Sequence, residues 1–118
     1  MAHAERIFIS WYTVQAKPVI TERVKEYAAN YGFIYRQVKI TDAQTRWGSC
    51  SPSGSLNFSW RLVMAPIRVI DYVVVHELVH LNEKNHSGRF WDNVKAILPD
   101  YTQQVQWLKT NGYKLRLD

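Results

Sequence analysis

Three of the chain's four histidines fall within eleven residues, as His76-Glu77-Leu78-Val79-His80 followed by His86. Each residue of an α-helix turns the chain by about 100°, so residues four apart project about 40° apart, on nearly one face. A helix through this stretch stacks His76 and His80 side by side and offsets Glu77 around the barrel. His86 can join them only if that helix ends near Asn82 to Lys84 and the chain doubles back. Asn85 is a tolerable left-handed residue for such a reversal. With four His and five Glu in 118 residues, chance yields about 0.006 patterns of the form His-Glu-x-x-His. A third histidine in range makes coincidence rarer still, so any fold for this chain has to deliver the three together.

The surrounding pattern supplies the helix. Pro66 suits its first turn, and Ile67, Ile70, Val74, Leu78 and Leu81 mark one apolar face as far as about Asn82. His76 and His80 point away from that stripe, towards a cleft. Val69 and Val73 lie near the histidine face and form a semi-buried floor of low dielectric, which strengthens electrostatics at the site. Ser87 is a candidate N-cap for a further helix reaching Leu98, which Pro99 ends. A last helix spans about Tyr101 to Asn111, closed by Gly112.

Upstream, Ala4, Ile7, Phe8, Trp11, Tyr12 and Gln15 recur at helical spacing, and Ile20, Val24, Tyr27, Ala28 and Tyr31 resume it after Pro18. This predicts one long helix kinked at Pro18 or two shorter ones, with Gly32 just past the end. Tyr35 to Ile40 reads as a strand. Thr45 to Ser51 and Ser55 to Arg61 flank Ser51-Pro52-Ser53-Gly54, a turn signal that predicts an antiparallel hairpin. The whole is an α+β layout: an N-terminal helix, a small three-stranded and mainly antiparallel sheet, the histidine helix, and two C-terminal helices. With 47% apolar residues and no linker or repeat, residues 1–118 are expected to form one domain.

The histidine set reads as a metal site. Two imidazoles stacked on a helix can reach one tetrahedral Zn2+, and a third protein ligand leaves a fourth position for water, as in catalytic rather than structural sites. Zinc brings that water's pKa towards 7, and a carboxylate beside it, Glu77, can take the proton and pass it on. The expected roles are metal ligands for His76, His80 and His86, one Zn2+ per chain, and catalytic base for Glu77. Two imidazoles hydrogen-bonded on a helix without metal are the competing reading.

No apolar run reaches 18 residues, so no span of a membrane is expected. A single cysteine, Cys50, excludes an internal disulfide framework and, with no basic-then-apolar leader at the N-terminus, fits a cytoplasmic location. A net charge of +5 and a pI near 9.5 favour anionic partners: nucleic acid, nucleotides or acidic peptides.

The spacing H-E-x-x-H-x5-H matches metzincin peptidases in count. However, Glu83 stands where they carry glycine, and both methionines, Met1 and Met64, precede the motif instead of following it. The chain instead resembles the YgjP-like metal-dependent hydrolases, grouped with SprT-like and WLM-type metallopeptidases. The likeness runs from about Val38 to Leu108. It rests on Thr45-Arg46-Trp47-Gly48-Ser49-Cys50-Ser51, on Asn57 to Pro66, on Asp71 to Leu81 and on Asn85-His86-Ser87-Gly88-Arg89-Phe90-Trp91. This resemblance implies a zincin-like domain with His76, His80 and His86 as zinc ligands and Glu77 as base. Longer members carry an N-terminal β-rich region with no counterpart here.

Several neighbours of the site carry alternatives. Arg46 to Cys50 sits on a predicted strand that could hold extended peptide by main-chain pairing; Trp47 is otherwise core, and Gly48 marks a bulge or a close backbone approach. Cys50 reads as a small buried apolar residue. Arg61 could stabilise an oxyanion or phosphate, or pair with Asp71 or Glu77. Tyr72 either donates to an oxyanion or packs, and Phe90 and Trp91 anchor the helix after His86. His3 reads as irrelevant to the site. Three functions follow. The first is peptide-bond hydrolysis on a peptide or protein substrate, with nucleic-acid contact suggested by the charge and by the SprT-like resemblance. The second is nucleotide phosphoanhydride hydrolysis, for which no glycine-rich phosphate loop appears. The third is a non-catalytic zinc-stabilised binding module, for which Glu77 would be superfluous.

Overall fold

A computed structural model describes residues 2–112, and side chains over residues 11–112. The apolar positions Ala4, Ile7 and Phe8, together with His3 and the stretch 113–118, therefore lie outside the described side chains. Helix α1 runs unbroken over Ala2–Tyr31, with Pro18 inside it. Pro18 faces solvent and Val14, four residues before it, is 67% exposed, so water can reach the carbonyl that proline leaves without a donor. Ala16, Ile20, Val24 and Ala28, four apart, form the buried face. Gly32, at φ +74, ends the helix, and Phe33 N–H donates to Ala28 O at 3.0 Å, the Schellman closure that only a left-handed residue permits cheaply.

The three strands are β1 (Gln37–Thr41), β2 (Gly48–Cys50) and β3 (Ser55–Ser59), in the spatial order β1-β3-β2. The hairpin between β2 and β3 forms as expected: Ser49 faces Asn57, and Gly54 occupies the turn at φ +88. The sheet as a whole is mixed, because β1 joins the other side of β3 in parallel, Val38 opposite Leu56. No helical crossover is required, since the chain leaves β1, passes the end of β3 through residues 42–47, and descends along β2. That crossing is fastened from below. Ser59 Oγ donates to Ala43 O at 2.8 Å, and the Trp60 indole donates to Asp42 Oδ1 at 2.7 Å. Arg61 Nη1 donates to Asp42 Oδ1 at 2.8 Å and to the carbonyls of Asp42 and Ala43. Arg61 is thus paired with Asp42 and not with Asp71 or Glu77, the two carboxylates nearer in sequence.

The chain then makes a 3-10 turn, Trp60–Met64, where the sequence had suggested that the strand continues to Arg61. Helices α2 (Ile67–Val79), α3 (Gly88–Ile97) and α4 (Tyr101–Asn111) follow. Helix α2 is central, buried nearly all round from Val69 to Val79, because α1, α3, α4 and β2 all pack on it. Ile70, Val74 and Leu78 are core as expected, whereas Ile67, at the open first turn, is 50% exposed. Asp71, itself buried, receives both Arg23 Nε at 2.7 Å and Arg23 Nη2 at 3.0 Å, which clasps α1 to α2. Ser87 occupies the N-cap of α3 without a capping side-chain bond. Gly112 ends α4 in a right-handed conformation, where a Cβ would meet Trp47 Cζ2 at 3.2 Å. Among the described residues no helix is long and apolar enough to cross a membrane.

Candidate metal centre

Helix α2 presents His76 and His80 one turn apart, ring centroids 4.9 Å from each other. The helix ends at Val79, three residues before the expected Asn82, and a series of turns carries the chain away: Leu81 N–H bonds to Leu78 O, Asn82 N–H and Glu83 N–H to Val79 O. His86 then returns, its ring centroid 4.7 Å from His80 and 5.1 Å from His76. Asn85 takes no left-handed conformation to achieve this, since no described residue other than glycine has positive φ.

One nitrogen from each of the three histidines lies within 4.8 Å of the others, so the set could hold a metal ion. The protonation pattern favours that use. His80 Nδ1 lies 3.0 Å from the Glu83 carbonyl, which can only accept, so the proton resides on Nδ1 and the lone pair on Nε2. That Nε2 faces His86 Nε2 at 2.9 Å. Zinc–imidazole bonds of about 2.0–2.1 Å place two nitrogens of a tetrahedral site roughly 3.3 Å apart, so the donors already converge on a volume of that size. Burial, then the neighbouring His76 and His80, holds the His86 imidazolium below the usual histidine pKa, so its neutral, metal-competent form persists to lower pH.

Phe90 on α3 is the support the three rings share. It is fully buried, with its centroid 5.0, 4.6 and 4.8 Å from those of His76, His80 and His86. Trp91 stacks on His86 at 5.7 Å and on Tyr101 at 5.4 Å. Tyr72 packs edge-on to His76 at 5.8 Å, and burial, then the charge of Glu77, pushes its hydroxyl up to about 12. Its hydroxyl therefore keeps its proton.

Glu77 is buried, at 5% exposure, with Oε2 3.2 Å from His76 Nδ1. It lies against β2 so closely that a Cβ on Gly48 would meet Glu77 Cγ at 3.1 Å and Oε2 at 3.2 Å. Gly48 therefore marks a close approach, of strand to carboxylate. Cys50, half-buried on the same strand, has its thiol pKa raised by burial and by Glu77, so it stays a neutral lining group. Histidines, Glu77, β2 and the hairpin turn enclose an open cleft of about 760 Å³, with Ile34 and Leu81 at its rim. Sequence reasoning missed Glu83, whose main-chain carbonyl orients His80, and Asp42, which fastens the loop leading into β2. A main-chain role leaves no residue-type signal, and Asp42 lies 19 positions from its arginine.

Comparison with solved structures finds the metallopeptidase zymogen abylysin of Pyrococcus abyssi. It superposes with a TM-score of 0.70 over 78% of this chain and 93% of that chain at 18% identity, a likeness of fold. Curated proteins yield no match. The family comparison matches the YgjP-like, metallopeptidase domain over residues 1–111, so it includes α1, which the sequence motifs had left out. With nearly its whole length matched in this way, the chain belongs to the YgjP-like metallopeptidase-domain family.

Proposed function

We propose that this chain hydrolyses peptide bonds with one zinc ion held by His76, His80 and His86, and with Glu77 as the general base. The observation that carries the reading is the convergence of three imidazole nitrogens within 4.8 Å beside a buried carboxylate that faces the cleft. The donor set, three imidazoles and no thiolate, suits zinc with a position left open. Zinc in such a site supplies Lewis-acid polarisation of a carbonyl and acidifies water.

The remaining work belongs to the chain. Among the described residues β2 pairs with β3 alone, so its other edge offers main-chain groups to an extended substrate, pairing it alongside Glu77. Glu77 Oε2 takes a proton from the attacking water and returns it to the departing amine. His76 Nδ1, 3.2 Å from Oε2, helps to hold that carboxylate in place. Burial of Glu77 limits competing water and favours transfer at that one atom.

Elemental analysis of the purified protein, with His86→Ala and Glu77→Gln beside wild type, tests the site. About one zinc per chain, lowered in His86→Ala and kept in Glu77→Gln, together with peptide cleavage abolished in Glu77→Gln, is the expected result. No zinc after reconstitution, or zinc affinity unchanged in His86→Ala, sinks the three-histidine site. Cleavage of nucleoside triphosphates but of no peptide replaces the peptidase reading with the phosphoanhydride one.

A further inference from the structure

Two smaller hollows lie about strand β2. Gly48 and Ser49, which wall the histidine cleft, also border a second hollow of about 270 Å³ shared with Thr41 and Asn57 of the neighbouring strands. That hollow in turn shares Ala43, Arg46 and Ser59 with a third, of about 260 Å³, whose other wall is Lys109 and Gly112 at the end of α4. The loop that carries Arg46 leads directly into β2, so a peptide paired along that strand and running on past Gly48 approaches Arg46 and Lys109.

This third hollow is cationic. Arg46 and Lys109 are both exposed and pair with no other described residue. Arg61 borders the hollow from beneath with its side chain 3% exposed, and its Nε is buried without a hydrogen-bond partner. Asp42, the carboxylate of the same loop, is already engaged by Arg61 and Trp60, so it does not neutralise Arg46 or Lys109. Arg61 and Asp42 neutralise each other, so Arg46 and Lys109 leave two uncompensated positive charges at the rim among the described residues, and these favour an anionic group over a neutral one. Trp47 lines one side and gives the planar, partly apolar wall that a peptide chain needs.

We propose that Arg46 and Lys109, with Arg61 behind them, form a carboxylate-accepting subsite. On the peptidase reading above, it selects substrates with an acidic side chain or a free C-terminus on the side of the cleaved bond where β2 meets the 42–47 loop. Both sources present the same carboxylate, and the geometry admits either.

The test is binding, which does not depend on turnover. Zinc-loaded Glu77→Gln protein is titrated with capped, otherwise uncharged hexapeptides carrying one Asp at each position in turn, with their Asn counterparts, and with one uncharged member bearing a free C-terminus. Binding is read from the Trp47 indole resonance. One Asp peptide, or the free-terminus peptide, is expected to bind about tenfold tighter than its neutral partner. The same preference should vanish when Arg46→Gln and Lys109→Gln are added. Both residues are exposed and pair with no other described residue, so the double variant keeps the fold. Equal binding, or none, of charged and neutral members, or a preference that survives the double variant, overturns the subsite. Wild-type protein on the same peptides separates the two readings. Cleavage without charge preference removes the subsite and leaves the peptidase, whereas charge-dependent binding without any cleavage removes the peptidase and leaves the subsite.

Discussion

Replacing Gly48 with alanine isolates the contact on which Glu77 depends. Gly48 has no left-handed φ, so an alanine backbone fits there and only space decides the outcome. The added methyl would lie 3.1 Å from Asn57 O, 3.1 Å from Glu77 Cγ and 3.2 Å from Glu77 Oε2. Relaxed contacts to carbon sit at about 3.5–4.0 Å, so all three are short by several tenths of an ångström. Asn57 belongs to the central strand, held by ladders on both sides, which leaves the Glu77 side chain as the part that yields. Over-packing of this kind costs about 1–3 kcal/mol. For a chain of this length that lowers Tm by roughly 5–10 °C. The kinetic effect is larger in proportion, since a 1 Å misplacement of a reacting group can cost about a hundredfold and several tenths should cost about tenfold in kcat. The assay is kcat and KM on a cleaved peptide, with zinc content and Tm measured on the same preparation. Zinc should be retained, because no histidine is among the contacts of the new methyl. Wild-type kcat despite a lowered Tm would refute the claim that strand β2 positions Glu77, and loss of zinc along with activity would show that the strand moves the whole helix.

Three further outcomes follow from the same contacts. Phe90→Leu is expected to fold yet bind zinc about tenfold more weakly in a chelator competition, since the leucine no longer backs all three imidazoles; Phe90→Ala should also lose about 3–5 kcal/mol in urea unfolding, and unchanged zinc affinity in folded Phe90→Leu would count against the shared support. Asp71→Asn removes the charge that Arg23 meets across α1 and α2, leaves the partly exposed Arg23 paired with Glu26 of its own helix, and should cost about 1–2 kcal/mol in the same unfolding assay, with zinc stoichiometry unchanged; a loss under about 0.5 kcal/mol would mean the clasp is idle. Tyr72 has its hydroxyl raised to about 12, so between about pH 10 and pH 12 the folded state holds a proton that the unfolded chain has released. Stability therefore falls as pH rises through that window, by about 3 kcal/mol, and Tyr72→Phe should flatten the fall; an equal alkaline slope in both proteins would assign it to other groups.

What could be read from the residues divides along contact range. The histidine helix, the hairpin at Ser51 to Gly54 and the helix end at Gly32 each depend on neighbours a few positions apart, and periodicity or turn chemistry reveals them. The parallel pairing of β1 with β3 has no such local mark. It is decided by residues 42–47 crossing the end of β3, and that crossing is held by Ser59, Trp60 and Arg61 reaching back 16 to 19 positions. The sequence offered Arg61 an oxyanion or phosphate, or else Asp71 or Glu77 as a partner, but Asp71 is taken by Arg23 from 48 positions away. The reversal to His86 was legible in its result and not in its means, since turns after Val79 make it without Asn85 going left-handed.

The same division separates two halves of the candidate site. All three imidazoles come from residues 76–86, so the metal-binding half assembles wherever α2 and its trailing turns form. The carboxylate of Glu77 gains its setting from Gly48, 29 positions earlier, on a strand that is itself placed by the Arg61-fastened loop. On the proposed function, metal binding is therefore the more robust property, and catalysis the one exposed to distant change. A substitution that loosens the crossing loop, such as Asp42→Ala, should leave the imidazole cluster able to take zinc while the strand edge and Glu77 lose their register. A protein that holds metal and cleaves nothing is then the expected product of damage far from the histidines.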